Sequence, residues 1–228
     1  MVTNIVALGA AFDAAPDDTE ETLVGSSHHQ GAIRASGTGL TILARRRRWP
    51  WLVGDQLTVV MPRHGGRPPY QPVPDLLVHT TVGPAPRQSL NIAQDGSPAL
   101  VIEVASPATA RERDLSDDPG RGKPHLYAAM GIPEYLVFDP LAEFIREQVR
   151  AWRLGPRGGY EPWLPDARGH WVSQELGGVS FAPQGFLLRV YDEFGELLPI
   201  VEELDDENQR LTARLAALEA ELRRLRGE

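Results

Sequence analysis

The sequence predicts an α/β protein of the α+β kind, a mixed central sheet flanked by helices, followed by a C-terminal coiled-coil helix. Three observations lead there. Short apolar runs bounded by Pro and Gly come in the order helix, several strands, helix, strand, as a layered domain requires. The 22 Gly and 20 Pro among 228 residues supply the many turns that such an order needs. Leucines spaced alternately by three and four then run to the C-terminus.

Residues 1–19 are small, acidic and aperiodic, and are expected to form a flexible N-terminal arm. Residues 20–191 form the main domain. A helical reading fits residues 19–45, broken by Gly25, Gly31, Gly37 and Gly39. Residues 51–61 are rich in Val, Leu and Thr and read as strand. Residues 74–81 and 98–105 are apolar runs with the length and boundaries of buried strands. Thr109-Ala-Arg-Glu112 has the spacing of a capping box and predicts a helix start. A second helix over residues 123–130 ends at Gly131, a suitable residue for a helix C-terminus. Residues 134–138 return to strand and stop at Asp139-Pro140. Residues 148–154, 170–176 and 186–191 are expected as further strands.

Residues 192–228 form the third segment. Leu197, Val201, Leu204, Asn208, Leu211, Leu215, Leu218, Leu222 and Leu225 trace the a and d positions of heptads. With Leu204 at d, Asn208 falls at a, where a buried Asn favours an in-register parallel dimer. Arg214 (g) would face Glu219 (e) of a partner, and Glu221 would face Arg226. A homodimer is therefore expected; a single amphipathic helix packed on its own domain is the alternative.

Composition excludes several classes. Hydrophobic residues at 42% and charged residues at 24% are those of a globular chain. The absence of Cys removes disulfide scaffolds, thiol nucleophiles and Cys-ligated metals. No apolar run approaches the ~20 residues of a membrane span. Residues 5–12 lack a preceding basic region, so a cytoplasmic protein is expected. The net charge of −8 is concentrated at the end: residues 192–228 carry eleven acids and five bases, leaving a nearly neutral main domain. The charge therefore does not exclude a nucleic-acid partner.

Two carboxylates stand out by position. Asp75 heads one apolar strand and Glu103 interrupts another, Leu100-Val-Ile-Glu-Val-Ala105. A buried carboxylate costs several kcal/mol unless paired or bound to metal. Two on neighbouring strands would make a hard oxygen site suited to Mg²⁺ or Mn²⁺; strand-end capping or pairing with Arg is the alternative. Lys123 is the only lysine among 23 basic residues. Its ammonium is a compact point charge, able to orient water or stabilise charge on a phosphate, unlike guanidinium. Arg45, Arg46, Arg47 and Arg48, beside Trp49 and Trp51, could hold a DNA backbone, or could be a solvated helix end. Of His28 and His29, adjacent in sequence and so pointing apart, one could ligate metal or act as a base.

These residues resemble a known family. Asp75 in Pro-Asp-Leu-Leu-Val, the run Val101-Ile-Glu-Val-Ala-Ser-Pro-Ala-Thr109, then Asp114, Lys123, Tyr127, Gly131-Ile-Pro-Glu-Tyr135 and Asp139-Pro140 resemble the Uma-two family of restriction-endonuclease-like proteins, within the PD-(D/E)xK nuclease superfamily. The resemblance covers about residues 20–191. It implies a restriction-endonuclease-like core with a divalent metal at the mouth of a mixed sheet. On that likeness Asp75 and Glu103 are metal carboxylates, the Val104 carbonyl is a further ligand and Lys123 is catalytic. The superfamily's lysine usually stands two residues after the glutamate, where this chain has Ala105; in the Uma-two pattern it comes from the following helix. The family's N-terminal acidic residue corresponds to Glu20 or Glu21, and its histidine to His29. Asp117-Asp-Pro-Gly120 lengthens the Asp114-to-Lys123 spacing. Tyr127, Tyr135 and Asp139 read as core and turn residues. The expected activity is Mg²⁺-dependent hydrolysis of DNA phosphodiester bonds. The rival is a catalytically silent module of the same fold that assembles through its coiled coil.

Overall fold

Six strands make the central sheet of the computed structural model. The structure describes residues 27–63, 68–119 and 121–226. The expected N-terminal arm, Gly25, Glu20 and Glu21 lie outside the described residues. Helix α1 (Ser27–Arg47) leads into β1 (Leu52–Asp55) and β2 (Thr58–Val60). Then come β3 (Leu76–His79), β4 (Ser89–Asn91), the one-turn helix α2 (Ile92–Asp95) and β5 (Leu100–Val104). A single π-helical turn (Ala110–Asp114) and helix α3 (Lys123–Ala129) cross over to β6 (Glu134–Phe138). Strands β7 (Val149–Leu154) and β8 (Tyr160–Pro162) complete the sheet, whose order is β1-β3-β5-β6-β7-β8. It is mixed, as expected: β5 and β6 are parallel, and every other neighbouring pair is antiparallel. A parallel pair cannot be closed by a hairpin, so the chain must cross one face of the sheet between β5 and β6, and α3 is that crossover.

Strand alternation sends successive side chains to opposite faces. Leu76, Val78, Leu100, Ile102, Val104, Leu136 and Phe138 join one hydrophobic layer with the α1 residues Ala32, Ile33, Leu40, Leu43 and Ala44. Phe181, Leu188 and Val190 close the same layer from a three-stranded sheet of β9 (Trp171–Val172), β10 (Ser180–Gln184) and β11 (Leu187–Tyr191). Leu77, Val101, Tyr135 and Val137 face the other way, into a layer with Leu126 and Tyr127 from α3 and with Met130 just after it. Strands β5 and β6 are buried throughout, as their unbroken apolar runs require.

Several expectations change. Helix α1 runs unbroken through Gly31, Gly37 and Gly39. The reason is close packing: a Cβ on Gly39 would stand 3.1 Å from Val190 Cβ, so the glycine lets the helix approach β11. The stretch 51–61 is two strands separated by Gln56 in the left-handed region (φ 47°). The capping box does not form. Thr109 makes no side-chain bond to the helix start, but its hydroxyl donates to Asp114 Oδ2 at 2.7 Å, and one π-helical turn replaces the expected α-helix. The strand expected over residues 170–176 stops at Val172, where the Ser173 hydroxyl accepts from the backbone N–H of Leu176 and turns the chain. Strand β10 escaped notice because it contains Pro183. Its β9 neighbour covers only Ser180 and Phe181, so the missing N–H removes no bond on that side.

The first compact unit runs to Leu198, beyond the expected boundary at 191/192, because Leu198 N–H bonds Val190 carbonyl and Leu197 bridges Tyr191. Leu197 therefore does not begin the heptad seam. Pro199–Glu228 is the second unit, and its helix α4 (Val201–Arg226) carries the remaining heptads. Among the described residues, no helix is long and apolar enough to cross a membrane.

Candidate active site

The register of β3 on β5 assembles the two acids. Leu76 pairs with Ile102 and Leu77 with Val101, so one further step places Asp75 opposite Glu103. Both fall on the α3 side of the sheet with Leu77 and Val101. The contact is direct: Asp75 N–H lies 3.4 Å from Glu103 Oε2, and Val104 N–H donates to Asp75 Oδ2 at 2.8 Å. Glu103 is only 2% exposed.

Helix α3 brings the cation. Lys123 opens the helix and is buried, with Nζ 3.1 Å from Glu103 Oε1 and 3.0 Å from Asp114 Oδ1. One turn further, Tyr127 lies on the same helix face and donates its hydroxyl to Glu103 Oε1 at 2.5 Å. The lengthened segment before Lys123 does not carry it away. Arg121 and Gly122 bond back to the Asp118 carbonyl, His125 Nε2 meets the Asp117 carbonyl, and the chain returns Lys123 to the acids. Asp114, 1% exposed, is fixed by the Thr109 hydroxyl, and its carbonyl accepts from Tyr135 OH at 3.0 Å.

His29 enters from α1. It stands one turn before Ala32 and Ile33 on the inward face, with Nε2 3.3 Å from Asp75 Oδ2. His28 points elsewhere, its ring 4.5 Å from that of Phe186. The arginine run is not brought to this site. It ends α1, so the rise of ~1.5 Å per residue puts Arg46 about 25 Å along the helix from His29. There Arg47 pairs with Glu193 at 2.8 Å and Asp192 at 3.4 Å. Trp51 is buried in the core, and the half-buried Trp49 packs tilted against it.

Residues 28–184 match the family Uma2, described as "Putative restriction endonuclease". The chain belongs to the Uma2 family. Among solved structures it is similar to a "putative nuclease belonging to DUF820" from Anabaena variabilis ATCC 29413. That likeness has 18% identity and a TM-score of 0.42, over 63% of this chain and 71% of that one. A comparison with curated proteins finds no match.

Two members of this candidate site are not evident in the sequence: Asp114 stands in the family's motif string without a role there, and Tyr127 reads as core alone. Tyr127 is core, fully buried, and also a hydrogen-bond donor to Glu103. The signal was available: its spacing of four from Lys123 puts both on one helical face.

The electrostatics follow from crowding. Burial pushes the Glu103 carboxyl up to about 8, and the like charges of Asp75 and Asp114 add to it, against the opposing effects of Lys123 and Tyr127. Burial also raises Asp75, but the hydrogen bond and charge of His29 outweigh it and hold the carboxyl below its ordinary value. His29 is raised in turn, chiefly by that bond to Asp75 and further by its hydrogen bond to the Val104 backbone. Among the described residues no three His, Asp or Glu side chains form a ready metal cage. Asp75, Glu103 and the Val104 carbonyl would offer a cation hard oxygens. Asp114 adds a third carboxyl group beside the single lysine. That set fits a hard divalent cation.

Proposed function

We propose that this Uma2 chain is a divalent-metal-dependent endonuclease that hydrolyses DNA phosphodiester bonds, with Asp75, Glu103 and Lys123 as its reacting set. One observation carries the reading: the sole lysine of the chain is buried on α3 with its ammonium 3.1 Å from a carboxylate in the middle of β5. Burying an ammonium among carboxylates has a desolvation cost that an interaction module has no need to bear. The family description supports a nuclease, and DNA as its substrate.

Asp75, Glu103 and the Val104 carbonyl would hold Mg²⁺ or Mn²⁺. Such an ion, when bound, supplies Lewis-acid polarisation of a phosphoryl oxygen and acidifies a bound water. The chain's own groups do the remaining work. Lys123, clamped between Glu103 and Asp114, presents a fixed point charge to an oxygen on phosphorus or to the attacking water. Tyr127 fixes the Glu103 carboxyl, and the Val104 N–H fixes that of Asp75. His29 stands 3.3 Å from Asp75 Oδ2, and in its protonated form it offsets the charge of that carboxylate.

The test is duplex-DNA cleavage with Mn²⁺, with Mg²⁺ and with EDTA, by the wild type and by Asp75→Asn. Cleavage should need the metal and fall by at least about 100-fold in the variant. Equal cleavage in EDTA, unchanged cleavage by Asp75→Asn, or no cleavage under any of the three conditions would refute the reading.

A further inference from the structure

We infer that helix α4 pairs with α4 of a second copy of this chain as a parallel, in-register, two-stranded coiled coil. The inference is independent of the catalytic reading. Over its 26 residues α4 buries none. Leu211, Leu215, Leu218, Leu222 and Leu225 are between 48% and 72% exposed, although they form one continuous stripe about 21 Å long on this helix. A stripe of that kind is stable in water only against another apolar surface.

The choice of occupant rests on two features. Val201, Asn208, Leu215 and Leu222 occupy the a positions; Leu204, Leu211, Leu218 and Leu225 occupy every d position. In an antiparallel pair a residues face d residues, so Asn208 would meet leucine in any register and bury an unpaired amide. In a parallel pair a faces a, and Asn208 meets its own copy, which also disfavours higher oligomers. The charges select the same arrangement. Arg214 at g faces Glu219 at e of the partner, and Glu221 at g faces Arg226 at e. Residues five apart do not meet on one helix, so neither pair has an intrachain equivalent.

The absence of Cys from the chain makes orientation directly readable. Sedimentation of the full chain at micromolar concentration should give a dimer. Leu211→Cys should oxidise in air to a disulfide-linked dimer, because d meets d only in the parallel pair. Ala216→Cys, on the far side of the helix, should not. Arg214→Glu should weaken the dimer roughly tenfold, since two attractive contacts per dimer become repulsive, and adding Glu219→Arg should restore it. A monomer, trimer or tetramer would overturn the proposal. So would Leu211→Cys cross-linking no faster than Ala216→Cys, or the absence of charge-swap rescue.

Discussion

A carboxyl group 2% exposed in the middle of Leu100–Val104 is driven towards its neutral form, and Glu103 accordingly holds its proton up to about pH 8. An unfolded glutamate releases that proton near 4.5. Between those values the folded chain carries more protons than the unfolded one, so stability falls as pH rises, by up to about 1.4 kcal/mol per pH unit. Glu103→Gln has no such proton to lose. In EDTA the variant should therefore gain in melting temperature relative to the wild type from about pH 4.5 to about pH 8, and the gap should then level off. A gap that does not change with pH would contradict this account of Glu103. The residues with these roles were partly legible in sequence. Asp75 and Glu103 announce themselves as charges at the head and in the interior of apolar strands, and Lys123 by being alone. Asp114 does not, because an acid after Arg-Glu-Arg looks like an exposed helix surface until Thr109 and Tyr135 are seen to hold it inward.

At the scale of elements, the crossover from β5 to β6 decides whether Lys123 arrives. Gly122, the residue before Lys123, passes so close to the chain just after the π-helical turn that a Cβ there would collide with the Ser116 carbonyl oxygen. Gly122→Ala should therefore shift the start of α3 and destabilise the chain by about 1–3 kcal/mol, measured by urea denaturation. Cleavage should fall further than stability explains, because the shift moves Lys123. A variant as stable and active as the wild type would show that the crossover tolerates movement there. Strands β3, β5 and β6 were legible because burial on both faces writes long apolar runs. Helix α1 was legible only in outline. Its glycines argue against a helix on intrinsic propensity, and tertiary contact with β11 overrides that preference. Likewise, the meeting of Asp75 with Glu103 depends on a strand register that local sequence does not specify.

The whole molecule divides its chemistry between two units. Acidic charge gathers in residues 192–228, and the nearly neutral residues 1–191, which supply the site, have no strong general repulsion for a polyanion. The local excess of carboxylates around Lys123 is what a divalent cation would balance. The most direct measurement of this account is DNA cleavage by Lys123→Arg at saturating Mn²⁺. Arginine keeps the positive charge but substitutes a broad planar fork for a compact ammonium held between Glu103 and Asp114. Cleavage should fall by at least about 100-fold while Mn²⁺ still raises the melting temperature. Cleavage within twofold of the wild type would remove Lys123 from the reaction and contradict the central claim.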